Sequence, residues 1–240
     1  MSQTTTVTLI DGVRVVVPDS LDLMTSYVLH EQRDWFEDEL RFLRRLLQQG
    51  QSVIDIGANY GVYTLSMAKA VGPAGSVLAF EPASETARLL SASVAANSFQ
   101  HVNVQRSAVS AASGTGQLTL GQHSELNALV RGTPAQGATE TVPLVTLDDC
   151  LREHGWQRVD FVKIDAEGEE HNILKGGERF FAELSPLVQY EVKAGTELHL
   201  ELVQLFRERG YDSYRLVPVQ SLLCQMPERL HKPSWSVSIG

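Results

Sequence analysis

A glycine-rich turn with an acidic residue in front of it follows the apolar run Val53–Ile56. Asp55 precedes Gly57, and Gly61 closes the turn. Glycine lets the backbone come close to a ligand, and the N-terminus of a following helix offers free N–H groups. A carboxylate such as Asp55 meets an ammonium group directly or through water. These residue types predict a turn that binds a small ligand carrying a positive charge.

The same turn differs from the fingerprint of dinucleotide-binding proteins. Ala58, Asn59 and Tyr60 occupy the positions where G-x-G-x-x-G needs its second glycine and its approach to a pyrophosphate. A ligand without a pyrophosphate but with a methionine ammonium, S-adenosylmethionine, is therefore favoured over NAD, and an NAD-dependent oxidoreductase is kept as a rival. For Asn59 and Tyr60, turn chemistry or core packing is the alternative to a cofactor contact.

Two further strand ends supply groups suited to a nucleoside. Glu81 ends the second apolar run, where an acidic residue accepts hydrogen bonds from both ribose hydroxyls. A third run ends near Gln105, so Ser107 and Ala108 fall where an adenine edge is commonly held, with an ordinary loop hydroxyl as the alternative for Ser107. The alternative for Glu81 is a solvated carboxylate at a strand end.

A second acidic group follows later strands. Asp165 and Glu167 come directly after the run 159–164, and Glu191 ends the run that starts at Leu187. Ligands of an open parallel sheet bind off the carboxyl ends of its strands, so these acids are expected to share a crevice with the glycine turn. This placement predicts that the acidic group acts on whatever lies next to the cofactor.

Several chemical roles remain open for these acids. A hydroxyl that accepts a methyl group must lose its proton, which needs a carboxylate within reach or a metal ion. The interpretation preferred here makes Asp165 the base or the orienting group, with Glu167 and Glu191 in support. The three could instead bind Mg²⁺ through oxygen ligands. Asp165 and Glu167, which come from one turn, could also simply cap the following helix. His171, about one helical turn beyond Glu167, is either the proton acceptor or a surface histidine.

The elements that position these residues alternate along the chain. Helices are predicted at 34–49, 62–71, 84–97, 147–154 capped by Thr146, 169–174 and 196–209, and strands at 52–56, 76–80, 102–105, 159–164, 187–192 and 214–217, with a last strand near 235–240. Long crossovers between strands predict an α/β fold with a mostly parallel central sheet and helices on both faces. Asp11-Gly12 between two β-rich runs predicts a small N-terminal hairpin.

These predictions divide the chain into residues 1–33, a hairpin and lead-in segment, and 34–240, the main domain. Residues 110–143, rich in small residues, interrupt the alternation. They predict an irregular insert or an added antiparallel pair that lies over a pocket.

Composition narrows the function classes. A chain of 240 residues builds one sizeable core. A net charge of −9 repels polyanions, so nucleic acid is not expected as a partner. Cys150 and Cys224 have neither the spacing of a zinc site nor a disulfide framework. With no basic-then-apolar leader and no membrane-length apolar run, a cytoplasmic protein is expected.

Four segments together resemble the FkbM-type methyltransferases: Trp35-Phe36-Glu37, Asp55-Ile56-Gly57-Ala58-Asn59-Tyr60-Gly61, Phe80-Glu81-Pro82 and Lys163-Ile164-Asp165-Ala166-Glu167-Gly168. The resemblance implies a Rossmann-like class I methyltransferase fold, S-adenosylmethionine as donor, and O-methylation of sugars or of polyketide and related natural products. It implies that Asp165 and Glu167 belong to the site, and it favours Glu37 as a cofactor contact.

The expected partner is a small-molecule or glycan acceptor, with a homodimer or a larger biosynthetic complex left open. A non-catalytic nucleoside-binding module of such a complex is the second rival.

Overall fold

The computed structural model describes residues 3–121, 123–131, 137–192, 198–217, 222–225 and 234–239. The strands are β1 (Thr4–Thr8), β2 (Arg14–Pro18), β3 (Ser52–Ile56), β4 (Ser76–Phe80), β5 (Val102–Gln105), β6 (Ala108–Val109), β7 (Gly114–Thr119), β8 (Ala128–Leu129), β9 (Thr139–Val145), β10 (Phe161–Ile164), β11 (Leu187–Val192), β12 (Asp212–Val217), β13 (Leu222–Gln225) and β14 (Ser234–Ile239). The helices are α1 (Met24–Gln32), α2 (Asp38–Leu46), α3 (Val62–Val71), α4 (Ser84–Ala96), α5 (Leu147–His154), α6 (Glu170–Lys175), α7 (Glu178–Leu184) and α8 (Leu198–Glu208).

The central sheet has eight strands in the order β13-β12-β14-β11-β10-β3-β4-β5. Strands β11, β10, β3, β4 and β5 run parallel. Strands β14, β12 and β13 extend the sheet beyond β11, and each of them is antiparallel to its neighbours. The parallel strands read as short apolar runs because both of their faces are covered. The predicted α/β fold with a mostly parallel sheet is confirmed.

Helices bury both faces of this sheet. Because side chains alternate along a strand, Ile54 and Ile56 pack on one side with α5 to α8, whereas Val53 packs on the other with α2 and α3. The strands thus form a rigid middle layer, and their carboxyl ends emerge at one rim. Of the described helices, none is long and apolar enough to cross a membrane.

The predicted N-terminal hairpin is confirmed as β1 paired with β2, and Gly12 takes φ +86° in its turn. The free edge of β2 docks on α4 through side chains. Asn97 exchanges two bonds with the backbone of Arg14, at 2.8 and 2.6 Å, and the Ser93 hydroxyl accepts from the Val16 N–H at 2.8 Å. These side chains satisfy backbone groups that a neighbouring strand would otherwise pair.

Helix boundaries depart from the prediction before the first core strand. Helix 34–49 is shorter, running from Asp38 to Leu46, because Glu37 is extended and its side chain is used at the cleft described below. Helices α1 and α7 were not predicted. The helix predicted over 196–209 is α8, and the start of that prediction and Gly240 lie outside the described residues.

The segment 110–143 contributes most of a small mixed sheet in the order β6-β9-β7-β8, built around the antiparallel pair β7 and β9. Apolar side chains of this small sheet, among them Leu118 and Val142, pack on Ala83 and Ala108, beside the ends of β4 and β5. Helix α5 follows it, and the Thr146 hydroxyl caps that helix by accepting from the Asp149 N–H at 3.0 Å, as predicted. The insert therefore stands next to the rim where the central strands end.

A buried ionic cluster ties the lead-in segment to α3. Arg44 makes a bidentate pair with Asp34 at 2.7 and 2.9 Å, reaches Asp11 at 2.8 Å, and donates to the Ser66 hydroxyl at 3.2 Å. Its side chain is only 15% exposed. One guanidinium therefore holds the hairpin turn, the segment before α2 and α3 together.

Arg44→Met is expected to lower the free energy of unfolding by about 2–4 kcal/mol, because the largely buried carboxylates of Asp34 and Asp11 would lose the guanidinium that pairs with them. Arg41→Met is the matched control on the same helix. Its side chain is 57% exposed and pairs with Asp38 across one turn, so about 0.5 kcal/mol is expected. Urea denaturation measures both, and equal losses would show that the buried cluster contributes no more stability than an exposed ion pair.

Candidate active site

An open cleft lies at the carboxyl ends of β3, β4 and β10. The insert closes one side, and the segments around α1 and α2 close another. Its lining contains the predicted residues Glu37, Gly57, Asn59, Tyr60, Glu81, Ser107, Ala108, Asp165 and Glu167, together with Thr25, Trp35, Tyr63, Leu118, Glu125, Leu129 and Lys163. One end of the sheet thus brings together most of the residues that the sequence singled out.

The glycine turn is held by its close approach to β10. Gly57 takes φ +81°, and a Cβ added to it would lie 1.7 Å from the carbonyl oxygen of Asp165. Its N–H and that of Ala58 both donate to the carbonyl of Phe80, at 3.1 and 3.0 Å. Gly61, at φ +95°, begins α3. The turn therefore needs glycine for both conformation and space.

Glu81 is set as an acceptor at the end of β4. Its two oxygens accept from the backbone N–H groups of Asn59 and Ala83, at 2.9 and 3.0 Å. The side chain is 6% exposed, and burial raises its pKa to about 7 despite these bonds. Each oxygen keeps further acceptor capacity, which suits the two hydroxyls of a ribose.

Some buried polar atoms at the cleft lack hydrogen-bond partners among the described residues. They include Oδ1 of Asn59 and Oγ of Ser107. A buried polar group without a partner is costly, so these atoms indicate a ligand that supplies donors or acceptors. Asn59 also sits in the left-handed region, at φ +50°. Together with the two oxygens of Glu81, these polar groups suit the hydrogen-bonding groups of an adenosine.

Asp55 lies behind the turn and is not among the described lining residues. Its carboxylate is fully buried; Oδ2 accepts from the Thr64 hydroxyl at 2.6 Å, and Oδ1 lies 3.8 Å from the ammonium of Lys163. Burial raises its pKa, and the attraction of Lys163 opposes that rise. Its expected contact with the ligand's ammonium stays a prediction, and its observed partners are Thr64 and Lys163.

Glu37 presents a carboxylate at the same end of the cleft. Tyr63 donates its hydroxyl to Oε2 of Glu37 at 2.6 Å, and Trp35 also donates to this carboxylate. Burial raises the pKa of Glu37, although both bonds lower it. Because Trp35 lines the cleft, the residues before α2 act as a wall of the site.

Lys163 is the residue that sequence reasoning missed. It is 2% exposed in the centre of β10, lines the cleft, and pairs in register with Asp55 on β3. Its ammonium lies 3.2 Å from Oδ2 of Asp165 and 4.7 Å from the centre of the Tyr63 ring. The available signal was a single charge inside the otherwise apolar strand Phe161–Ile164.

The three acids that follow the later strands lie close together, although Glu191 is not among the described lining residues of the cleft. Oxygens of Asp165, Glu167 and Glu191 lie within 4.8 Å of one another, and all three side chains are half-buried. Glu167 takes φ +48°, a strained conformation of the kind found at functional sites. His171 lies on α6 and is not among the described lining residues, so its role as proton acceptor stays a prediction.

Comparison with known proteins identifies the family of this chain. Residues 55–213 match the profile of the methyltransferase FkbM domain. The chain is 29% identical over 193 residues to methyltransferase sdnD of Sordaria araneosa, covering 68% of this chain and 74% of that protein.

Two solved structures share the fold. One is a methyltransferase FkbM from Methylobacillus flagellatus, with TM-score 0.55 and 15% identity over 82% of this chain and 45% of that one. The other is fibrillarin of Aeropyrum pernix with natively bound S-adenosyl-L-methionine, with TM-score 0.51 and 12% identity over 100% of each chain. The protein is a Rossmann-like, S-adenosylmethionine-dependent methyltransferase. It belongs to the FkbM methyltransferase family.

Gly57→Ala is expected to abolish binding of S-adenosylhomocysteine, because its methyl group would overlap the Asp165 carbonyl. Gly50→Ala is the control. Gly50 has a similar φ of +84° but nothing within 4 Å of an added Cβ, so only left-handed strain of about 1–2 kcal/mol is introduced. Calorimetric titration should show wild-type affinity in Gly50→Ala. Unchanged affinity in Gly57→Ala would contradict the proposed close approach.

Affinity for S-adenosylhomocysteine is expected to fall about tenfold from pH 8 to pH 6, because protonated Glu81 accepts hydroxyl donors poorly and its pKa is about 7. Binding near pH 7 should release a proton, seen as a heat that depends on the buffer. Glu81→Gln should remove both effects. Glu85→Gln should keep them, since Glu85 is exposed and Arg88 lowers its pKa. A pH dependence that survives in Glu81→Gln would rule out this assignment.

Proposed function

We propose that this enzyme methylates a hydroxyl group of a sugar, a glycan or a polyketide-type natural product, with Asp165 as the proton acceptor. The observation that carries the proposal is the gathering of Asp165, Glu167 and Glu191 next to the glycine turn. A hydroxyl is a weak acid, so its methylation needs a nearby base. Methylation of a better nucleophile would not need that base.

The residues assigned to the donor divide the cleft into two ends. Glu81 would hold the ribose, and Asn59 and Ser107 the adenine edge. Glu37 and, from behind, Asp55 would attract the ammonium of the aminoacyl end. S-adenosylmethionine supplies a methyl group already activated on a sulfonium when bound. The protein's remaining task is alignment and removal of a proton.

Asp165 is suited to that proton by its place. It follows β10 directly, its side chain is 28% exposed, and Lys163 donates to Oδ2 at 3.2 Å. A carboxylate at the rim reaches an acceptor hydroxyl without leaving its ion pair. Glu167 and Glu191 would orient the acceptor through further hydrogen bonds.

The charge of the cleft also bears on the acceptor. Its described lining includes Glu37, Glu81, Glu125, Asp165, Glu167 and Glu169, and one ammonium, that of Lys163. Such a surface attracts a cationic donor and repels anionic acceptors. We therefore place a neutral hydroxyl compound, and not a nucleic acid, in the acceptor position.

Mg²⁺ is the second candidate for activating the hydroxyl, since the three carboxylates offer the oxygen ligands that this ion prefers. The sequence leaves this alternative open, and a methyl-transfer assay of the wild-type enzyme with a chelator present decides it. A chelator would stop a metal-dependent reaction and leave direct proton removal by Asp165 untouched.

Asp165→Asn is expected to lower kcat by about 10²–10⁴-fold with little change in affinity for S-adenosylhomocysteine, since a base contributes roughly that much. The assay uses methyl-labelled donor with a panel of neutral sugars and polyketide-type alcohols. Asp149→Asn, at a half-buried carboxylate of α5 that pairs with Arg152 and is not among the described lining residues of the cleft, is the control and should keep full activity.

Retained turnover in Asp165→Asn would remove Asp165 as the base. Loss of wild-type activity in EDTA, restored by Mg²⁺, would establish the metal alternative instead. Methylation of amine or thiol analogues alone would contradict the choice of a hydroxyl acceptor.

A further inference from the structure

Lys163 is an unusual residue to find inside a sheet. It occupies the middle of β10 between buried neighbours, and 2% of it is exposed. Lysine is almost never fully buried unless its charge is paired. A neutral side chain would fill this position in the sheet at less cost, so the ammonium itself calls for an explanation.

The charges around it supply that explanation. Asp165 lies 3.2 Å and Asp55 3.8 Å from the ammonium, and Glu37 is linked to it through Tyr63, whose ring lies beneath the cation. Burial lowers the pKa of Lys163, but attraction to these three carboxylates outweighs it, and the net shift is upward. The ammonium therefore lies between two carboxylates, one on β3 and one directly after β10.

We propose that Lys163 is a positioning residue for methyl transfer, whose ammonium holds Asp165 at the rim and offsets the carboxylate charge acting on the sulfonium of the donor. This inference rests on the proposed function for the role of Asp165. The proposed effect of the Lys163 ammonium on the sulfonium is argued from the ion pairs of Lys163 alone.

The offset has a direct physical consequence. Without Lys163, the three carboxylates would stabilise a full positive charge in the cleft. The donor carries that full charge at its sulfur in the ground state. The transition state carries less charge at sulfur, so a field that favours the cation slows the reaction. The Lys163 ammonium weakens that field at the point where the two strands bearing Asp55 and Asp165 run side by side.

The donor and its product differ in charge at one atom, which gives a test that does not depend on activity. Lys163→Met is expected to bind S-adenosylmethionine about fivefold more tightly, since an opposing charge several ångströms away is removed. Affinity for S-adenosylhomocysteine, which lacks the sulfonium, should change by less than about twofold on the same argument. Calorimetry gives both dissociation constants, and their ratio is the readout.

Turnover is expected to fall by about 10²-fold in Lys163→Met while KM for the donor does not rise, because Asp165 loses its orienting partner. Lys175→Met makes the same change at an exposed lysine of α6 and should leave the ratio and kcat unaltered. Lys163→Arg, which keeps the charge, should keep the wild-type ratio of dissociation constants.

A second variant separates a loss of catalysis from a loss of folding. Asp55→Asn with Lys163→Met removes one buried anion together with the cation, so its melting temperature should exceed that of Lys163→Met while kcat stays low. Recovery of wild-type kcat in this pair would show that Lys163 only balances charge in the fold.

Two outcomes overturn the inference without touching the proposed function. One is an unchanged ratio of dissociation constants in Lys163→Met, and the other is full kcat there while Asp165→Asn is inactive. If Asp165→Asn is active, the proposed function fails first.

Discussion

The close approach of two neighbouring strand ends is the constraint on which the rest of the site depends. The turn after β3 and the loop after β10 approach until the backbone of Gly57 touches the carbonyl of Asp165, with no room for a side chain between them. This contact fixes the distance between the turn that would hold the donor and the acids that would act on the acceptor. Since methyl transfer depends on alignment, a rigid contact between backbone atoms is a suitable way to set it.

Burial of charge is the second organising feature. Lys163, Asp55 and Glu81 all lie in the sheet or at its end with little exposure, and each is stabilised by specific partners and not by water. A low-exposure setting strengthens every interaction between these groups and any cationic ligand. It also makes the site sensitive to single charge changes, because an unpaired buried ion is expensive.

The walls of the cleft come from the parts of the chain that lie outside the central sheet. Thr25 on α1 donates to Glu125 of the insert, so the two walls meet across the mouth. On the other side Arg131 holds Glu169 in a bidentate pair at 2.6 and 2.7 Å, which ties the insert to the segment before α6. Contacts outside the central sheet therefore hold the walls of the cleft in place.

The sequence by itself determined the alternation of strands and helices, the glycine turn, and the acids at the strand ends, because each depends on local periodicity or on a residue's position at the end of a run. The resemblance carried by four short segments pointed to the FkbM family, which the matched residues 55–213 established. Only the tertiary structure decided that Asp55 turns inward to Thr64 and Lys163, and that Glu37 is held by Tyr63. Those outcomes depend on the register of β3 against β10 and on packing between residues far apart in the chain, which no local pattern encodes.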